Sequence, residues 1–573
     1  MSYTQHLKKA LPERRLNNDD FRDHYDVVII GGGIYGATMA WEATTRGLTV
    51  LLVEQNDFAS STSSNSLKII HGGIRYLQTF DLVRMRESIK ARQSFLRIAP
   101  HLVSPLKCLM PTFKDIMKSR LVIFSGFLFY RLMSFNSNKG IDSAKKINHG
   151  SLISKIKFAK LFPNLKQKGI TGGAIWFDAQ TLNSERLVLS FIMSARERGA
   201  HVFNYMKSDA LISDNNKITG ITILDQLTGS KHDIKSSTVI DCSGSWKADK
   251  LQCTKDPSHT KAYALAINIV LKKEIVRHAI GIKIPAVIDG KQQTRLLFIT
   301  PWNNTTIVGT WYSACKQQPD QLSFSNNELK DALQQINSVF EKDLIDLNDV
   351  IYIHKGLLPI DPDKGSPANP YLTSRPTILH AQDSGGLYGF FQVQGVKYTT
   401  ARTVAEQTIN RVFKHLQKPL LQSNTHQIPL YGADYSSFSD WKETQVQKYS
   451  KTYSWEVINR LMYNYGSNME IILKIANEKY SQSNIIAGTN TALKAEIDFV
   501  LDNEMTFTLT DILLRRTDIG TQGLPAVETI NYCVCALTEK YDWNETDVKQ
   551  NIEKLLSFYP DWTTSEHKKV YEI

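Results

Sequence analysis

Residues 26–36 read DVVIIGGGIYG, and this stretch constrains the fold more than any other. Val27–Ile30 is a short apolar, β-branched run, the pattern of a parallel strand buried on both faces. Gly31, Gly33 and Gly36 follow as GxGxxG. Ala37–Arg46 then has helical spacing, and Gly47 is placed to end the helix. Thr49–Val53 reads as a second strand and ends on Glu54, eighteen residues after Gly36. Each part has a physical task. Gly31 permits the tight turn, Gly33 leaves room for a pyrophosphate, and Gly36 lets helix and strand pack closely. The helix N-terminus offers free N–H groups and a positive dipole end to phosphate, and Glu54 can accept hydrogen bonds from a ribose diol. The segment therefore predicts a dinucleotide-binding βαβ unit, without separating FAD from NAD.

The chain has 573 residues, too long for one simple core, so two or three domains are expected. Its 42% hydrophobic and 22% charged residues fit a globular protein and exclude disorder as the dominant state. Net charge is +12, with the basic residues spread along the chain. Such a balance suits a solvated surface, an anionic lipid surface or a phosphorylated substrate ahead of nucleic acid. The six cysteines form no CxxC pair, which argues against zinc and for a reducing compartment. The first twenty residues carry no apolar core of a signal peptide. Leu121–Tyr130 (LVIFSGFLFY) is apolar but too short to span a bilayer. It reads first as a buried helix, with a monotopic membrane contact as the alternative.

After Glu54 the chain runs through the Ser-rich segment TSSNSLKIIHGGIRYL, residues 62–77. Together with DVVIIGGG, this block resembles the FAD-dependent glycerol-3-phosphate dehydrogenase family, within the D-amino-acid-oxidase-like flavoproteins. The resemblance continues through VIDCSGSW (239–246), FITPW (298–302), VGT (308–310), GVKYTTAR (395–402), AEIDFVLDNEM (495–505) and LTDILLRRTDIG (509–520). It implies an α/β fold: a Rossmann-like FAD-binding domain interleaved with a β-rich substrate domain, followed by a C-terminal α-helical domain. It also implies an FAD-dependent dehydrogenase oxidising glycerol 3-phosphate to dihydroxyacetone phosphate. Gly31, Gly33, Gly36 and Glu54 would hold the ADP half. Ser63, Ser64, Gly72 and Gly73 would lie along the pyrophosphate and flavin, with Gly244 on the adenine side and Gly395 near the isoalloxazine. Arg75, Tyr76, Arg375 and Lys397 would form the catalytic pocket. The partners implied are a phosphorylated polyol, a quinone and a membrane surface reached from the cytoplasmic side, with no nucleic acid; a homodimer stays open.

Several pocket positions depart from the family pattern. Leu358, in GLLP, stands where the family has a phosphate-binding Arg, and Asn268 stands where it has a His. Trp311 and Tyr312 replace smaller residues, and Val396 replaces a Gly. Leu offers no bidentate grip on phosphate; Lys355 is a nearby substitute. These changes keep a second reading open: the same fold acting on a different alcohol, hydroxy acid or amine. A flavin-binding protein without turnover is a third reading, opposed by the intact fingerprint and Lys397. The base for the substrate hydroxyl is left open between His71 and His354.

The sequence divides into an FAD domain at 22–112, 165–262 and 360–415, a helical or loop-like insert at 113–164, a substrate domain at 263–359 and a C-terminal helical domain at 431–573. Within the last, 453–475, 491–506 and 526–539 show apolar spacing near the helical period.

Overall fold

The computed structural model describes residues 20–114, 120–246, 262–315, 322–480 and 484–572. The N-terminal segment read for a signal sequence, and Cys253, lie outside these residues.

Val27–Ile30 and Val50–Val53 are fully buried, as their composition predicts. They pair in parallel at the heart of a six-stranded sheet. Its order is Thr377–His380, Phe390–Gln394, Val239–Asp241, Val27–Ile30, Val50–Val53, His201–Phe203. Only the first pair is antiparallel. Because side chains alternate along a strand, the two faces have separate cores. Val27, Ile29, Val50 and Leu52 pack beneath the helices Ile34–Thr45, Ser184–Glu197 and Ala401–His415. Val28, Ile30, Leu51 and Val53 face a three-stranded antiparallel sheet, Met206–Asp214, Lys217–Asp225 and Lys231–Lys235.

A second sheet, of ten strands, supplies the other half of the molecule. Tyr263–Leu271, Thr305–Cys315, Lys291–Trp302 and Ala279–Ile288 form its antiparallel middle, and Val103–Thr112 continues it in parallel with Ala279–Ile288. Helix Asn326–Asn337 buries Leu329, Ala332, Leu333 and Ile336 against this sheet. The architecture is thus α/β, with a nucleotide-binding fold, a β-rich partner and C-terminal helices.

The sheet corrects the division read from sequence. Residues 103–112 and 172–181, assigned to the FAD domain, pair with each other over ten positions inside the ten-stranded sheet. Likewise Val350–Ser366 runs past residue 360 to pair with Asn369–Leu372. Register between distant strands carries no local signal, so composition alone misplaced these boundaries.

Two helical expectations also change. The 453–475 segment is two helices, Trp455–Tyr465 and Met469–Lys479. Gly466 breaks it: its φ is +56°, and an added Cβ would lie 1.8 Å from the Gly432 carbonyl oxygen. Helix Arg120–Met133 is not buried. Of its side chains only Phe127 is buried, while Leu121, Val122, Phe124, Leu128, Phe129 and Leu132 are exposed. Its own composition reads as core, but among the described residues no element covers its outer face.

Candidate active site

Between the two sheets lies a cavity of ≈1890 Å³. Gly31, Gly33 and Glu54 line it from the nucleotide-binding sheet, and Ala266, Asn268, Gly281, Phe298 and Thr310 line it from the other. Ser63, Gly73, Arg75, Tyr76, Gly244, Gly395 and Lys397 also reach its wall. Most of the residues singled out in the sequence are therefore brought together in one space.

The glycines explain the shape of the nucleotide end. Gly36 is essential for packing: a Cβ there would sit 1.8 Å from the Gly31 carbonyl oxygen. At Gly33 a Cβ would meet only Ser63 Oγ, at 3.1 Å, so the space above it is open cavity. Helix Ile34–Thr45 begins there with no side-chain cap from Gly33 and no acidic residue in its first turn. Its first N–H, that of Ile34, donates to Ser63 Oγ at 2.9 Å, and a helix start facing an open cavity is the cradle that a pyrophosphate requires. Glu54 sits at the cavity wall, its Oε2 accepting from the Gly32 N–H at 2.7 Å and its Oε1 from the Asn56 N–H at 2.9 Å. Burial, reinforced by the nearby Asp57 charge, raises its carboxyl above the usual range. The residues and the volume fit FAD. Gly33→Asp is expected to abolish FAD retention, because the carboxylate would occupy the cradle with the wrong charge. Flavin content measured by absorbance after purification checks this, and a normal yellow yield would remove Gly33 from the cofactor site.

Two expected cofactor contacts sit behind the wall. Ser64 holds its own loop, donating to the Ser61 carbonyl at 2.8 Å. Gly72 donates its N–H to Asp178 Oδ1 at 2.5 Å, and a Cβ there would lie 2.1 Å from Arg92 Nη1. Gly72 thus makes room for a buried arginine.

At the other end, Lys397 Nζ donates a hydrogen bond to the phenol of Tyr76 and lies 4.7 Å from its ring centroid. The guanidinium carbons of Arg75 and Arg84 lie 5.4 Å and 5.2 Å from the same ring. Burial would raise the Tyr76 phenol, but the Lys397 hydrogen bond and the Arg75 and Lys397 charges outweigh it and lower its pKa. Tyr35 was not singled out in the sequence, yet it fixes this end. Its hydroxyl donates to the Lys397 carbonyl at 2.9 Å and accepts from the Val396 and Lys397 amides. Burial pushes its phenol up to about 12. Its ring explains Gly395: a Cβ there would lie 1.9 Å from it.

His71 lines the cavity with its side chain 49% exposed and its Nδ1 3.4 Å from Asp178 Oδ2. Asp178 is buried, and Trp176 Nε1 and Arg92 Nη1 each donate to it at 3.2 Å. Burial would raise its carboxyl, but the His71 hydrogen bond and the His71 and Arg92 charges hold it at about 2. Asp178 lies 107 residues from His71, and no local motif marks it.

The remaining candidates are distributed otherwise than the sequence suggests. Arg375 is exposed and is not among the cavity-lining residues. His354 is buried away from the cavity, with Nδ1 3.2 Å from the Ser66 carbonyl oxygen. Burial and the Lys68 charge lower it to about 3, so it stays neutral. Leu358 does line the cavity, while Lys355, three residues earlier, is off it and points Nζ towards the Leu322 carbonyl at 3.4 Å. Asn268 Oδ1 accepts from Thr310 Oγ1 at 2.8 Å. Tyr312 lines the cavity, whereas Trp311 faces the opposite core and donates to Gln335 Oε1 at 3.2 Å. The period of two in a strand sends neighbours to opposite faces, so only one of the two aromatics can enter the pocket.

Known proteins resemble this chain along most of its length. Residues 26–410 match the family model described as FAD dependent oxidoreductase, and 423–548 match the C-terminal domain of alpha-glycerophosphate oxidase. A glycerol-3-phosphate dehydrogenase from Synechocystis is 30% identical, over 92% of this chain and 95% of its own length. A probable mitochondrial glycerol-3-phosphate dehydrogenase from Caenorhabditis elegans is also 30% identical, over 96% of this chain and 75% of its own. Among solved structures, the glycerol-3-phosphate dehydrogenase from Bacillus halodurans complexed with FAD superposes with a TM-score of 0.73 at 23% identity, covering 94% and 95% of the two chains.

Proposed function

This chain belongs to the FAD-dependent oxidoreductase family, in its glycerol-3-phosphate dehydrogenase branch, and from that premise we propose that it oxidises sn-glycerol 3-phosphate to dihydroxyacetone phosphate and passes the electrons to a membrane quinone. The observation that carries this reading is the cluster of Arg75, Tyr76 and Lys397 at the cavity end where the Gly395 segment closes on Tyr35. FAD, which the Gly33 helix start and Glu54 would hold, would supply the acceptor for a hydride from the carbinol carbon. Arg75 and Lys397 supply positive charge for an anionic substrate and for negative charge that develops during reduction. His71 takes the hydroxyl proton: its Nδ1 faces the Asp178 carboxylate and carries a proton, which leaves Nε2 as the acceptor. Asp178 orients the ring and stabilises the imidazolium that forms. The partial exposure of His71 lets that proton leave to solvent.

The exposed face of helix Arg120–Met133 supports a membrane surface as the site of electron delivery. Leu121, Val122 and Phe129 of this helix line the cavity, and so does Phe80, which is 83% exposed. Arg120 and Arg131, both exposed, bracket the helix and suit anionic headgroups. No helix among the described residues is long and apolar enough to cross a membrane, so the contact would lie in the interface, on the cytoplasmic face. Replacing Phe124 and Leu128 together by Asp is expected to shift the protein from sedimenting with anionic vesicles to the supernatant, with turnover on a soluble acceptor preserved. Undiminished co-sedimentation would place the membrane contact elsewhere.

Leu358 and Tyr312 on the cavity wall, with Arg375 off it, favour a second reading: another alcohol, hydroxy acid or amine. An anaerobic visible spectrum separates the two. Bleaching of the flavin by glycerol 3-phosphate within seconds is the expected result. Protein that stays yellow with it, and bleaches with a non-phosphorylated alcohol, hydroxy acid or amine, would overturn the phosphate reading.

A further inference from the structure

We infer that a second, smaller cavity is a binding site for a compact anion bearing phosphoryl or carboxylate groups, placed where the C-terminal helices meet the ten-stranded sheet. The cavity measures ≈610 Å³. Its walls come from Ser104 and Pro105 at the start of strand Val103–Thr112, from the turn Ser143–Lys145, and from helices Phe438–Tyr449 and Trp455–Tyr465. None of its residues lines the catalytic cavity, so the inference stands apart from the proposed reaction.

Lys145 is its centre. The residue is 2% exposed, donates from Nζ to Ser104 Oγ at 2.7 Å, and lies 4.6 Å and 4.9 Å from the ring centroids of Phe438 and Tyr463. Lys442 lines the same cavity, its Nζ 5.3 Å from the Tyr463 centroid and 3.5 Å from that hydroxyl. Among the described residues neither ammonium has a carboxylate within ion-pair distance. The nearby Asp142 is engaged otherwise: it accepts from the Ala144 and Ser439 amides at 3.0 and 3.1 Å, from Ser437 Oγ at 3.2 Å and from Ser439 Oγ. Glu443 lines the rim and is exposed.

A buried ammonium without a counter-charge is costly. Burial, with the Lys442 charge added, outweighs the opposing Asp142 charge and brings Lys145 down to about 7, so it gives up its proton readily. An anion between the two lysines supplies the missing charge and restores the proton, while Gln447, on the wall, offers a further hydrogen bond. The cavity's size and aromatic walls suit a small metabolite. Because the walls belong to different parts of the fold, an occupant would tie the sheet to the C-terminal helices.

The test uses the FAD-loaded protein, titrated with sodium phosphate, sodium citrate or sodium chloride at matched ionic strength. Phosphate or citrate is expected to raise the unfolding temperature by about 2–4 °C at saturation, with chloride inert. Response to both anions assigns shared recognition of charge, and response to one alone identifies phosphoryl or carboxylate as the group read. The shift is expected to vanish in Lys442→Gln and in Lys145→Met, and to persist in Arg75→Met, where the catalytic cavity is altered. Saturating anion should also slow acetylation of Lys145 by acetic anhydride about tenfold, read by peptide mass spectrometry, and Lys442→Gln should lose that protection. The Lys442 variant leaves the buried lysine in place and so decides the matter even where Lys145→Met fails to fold. No anion-specific shift, or a shift that survives both lysine variants and disappears in Arg75→Met, overturns the proposal.

Discussion

Lys397→Met is expected to slow substrate-driven bleaching of the flavin by about 10²–10³-fold while most of the bound FAD is retained. Lys397 contributes charge at the cavity wall, and its backbone, held by Tyr35, would stay in place without it. On the proposed reading the cofactor's grip rests mainly on the Gly33 helix start and Glu54, so retention and reduction should separate. The variant also strips Tyr76 of one of its hydrogen-bond donors and of one of the charges that lower its phenol. The side chain would then rely on Arg75 and Arg84 alone, both about 5 Å from the ring. Stopped-flow reduction under anaerobic conditions measures the effect. The loss should fall on the limiting reduction rate more than on the substrate concentration at half-saturation. Equal rates in variant and parent would take Lys397 out of the chemistry.

The second large effect is on stability. Asp57 is fully buried three residues after Glu54, and it holds the C-terminal domain against the nucleotide-binding fold. Its Oδ2 accepts from Arg515 Nε at 2.5 Å and Arg516 Nη1 at 2.7 Å. Its Oδ1 accepts from Arg516 Nη2 at 2.7 Å and Asn204 Nδ2 at 2.8 Å. Arg516 also donates to the Glu504 and Met505 carbonyls, and Arg515 to Asp511 and Thr510. Removing the carboxylate leaves two buried guanidinium groups short of a counter-charge. Asp57→Ala is therefore expected to cost about 3–5 kcal/mol, read from urea unfolding. Burial would raise the Asp57 carboxyl, but the Arg516 and Arg515 charges outweigh it and hold it at about 2, below its unfolded value. Its contribution is thus complete above about pH 4 and is lost as pH falls towards 2, so the gap between variant and parent should narrow in acid. A variant within 1 kcal/mol of the parent at pH 7 would show that this network adds no net stability.

The network also illustrates what a sequence hides. LTDILLRRTDIG stands out in the sequence only through its resemblance to the family. In the structure Ile512–Arg516 is a π-helical turn, and both guanidinium groups end on an aspartate more than 450 residues away. Nothing local predicts that pairing.

The nucleotide-binding unit is the opposite case. Strand, turn, helix and second strand lie within residues 27–54, and each is specified by neighbours in the chain: a β-branched run, three glycines and a terminal acid. Local sterics and hydrogen bonding decide such a unit, so its geometry was legible before any fold was known. The Gly395 and Lys397 segment was legible through its resemblance to a family, though the need for Gly395 becomes physical only when the Tyr35 ring is seen against it.

Tertiary structure alone decided the rest. It left Arg375 at the surface and His354 buried and neutral, and it placed His71 on Asp178. It sent Trp311 and Tyr312 to opposite faces of one strand, and among the described residues it left an apolar helix exposed at the cavity wall. The sequence by itself determined the cofactor fold, because short-range backbone rules act on adjacent residues. Which side chains share the substrate end was settled by strand register and by packing between segments far apart in the chain, and these depend on contacts that no local pattern encodes.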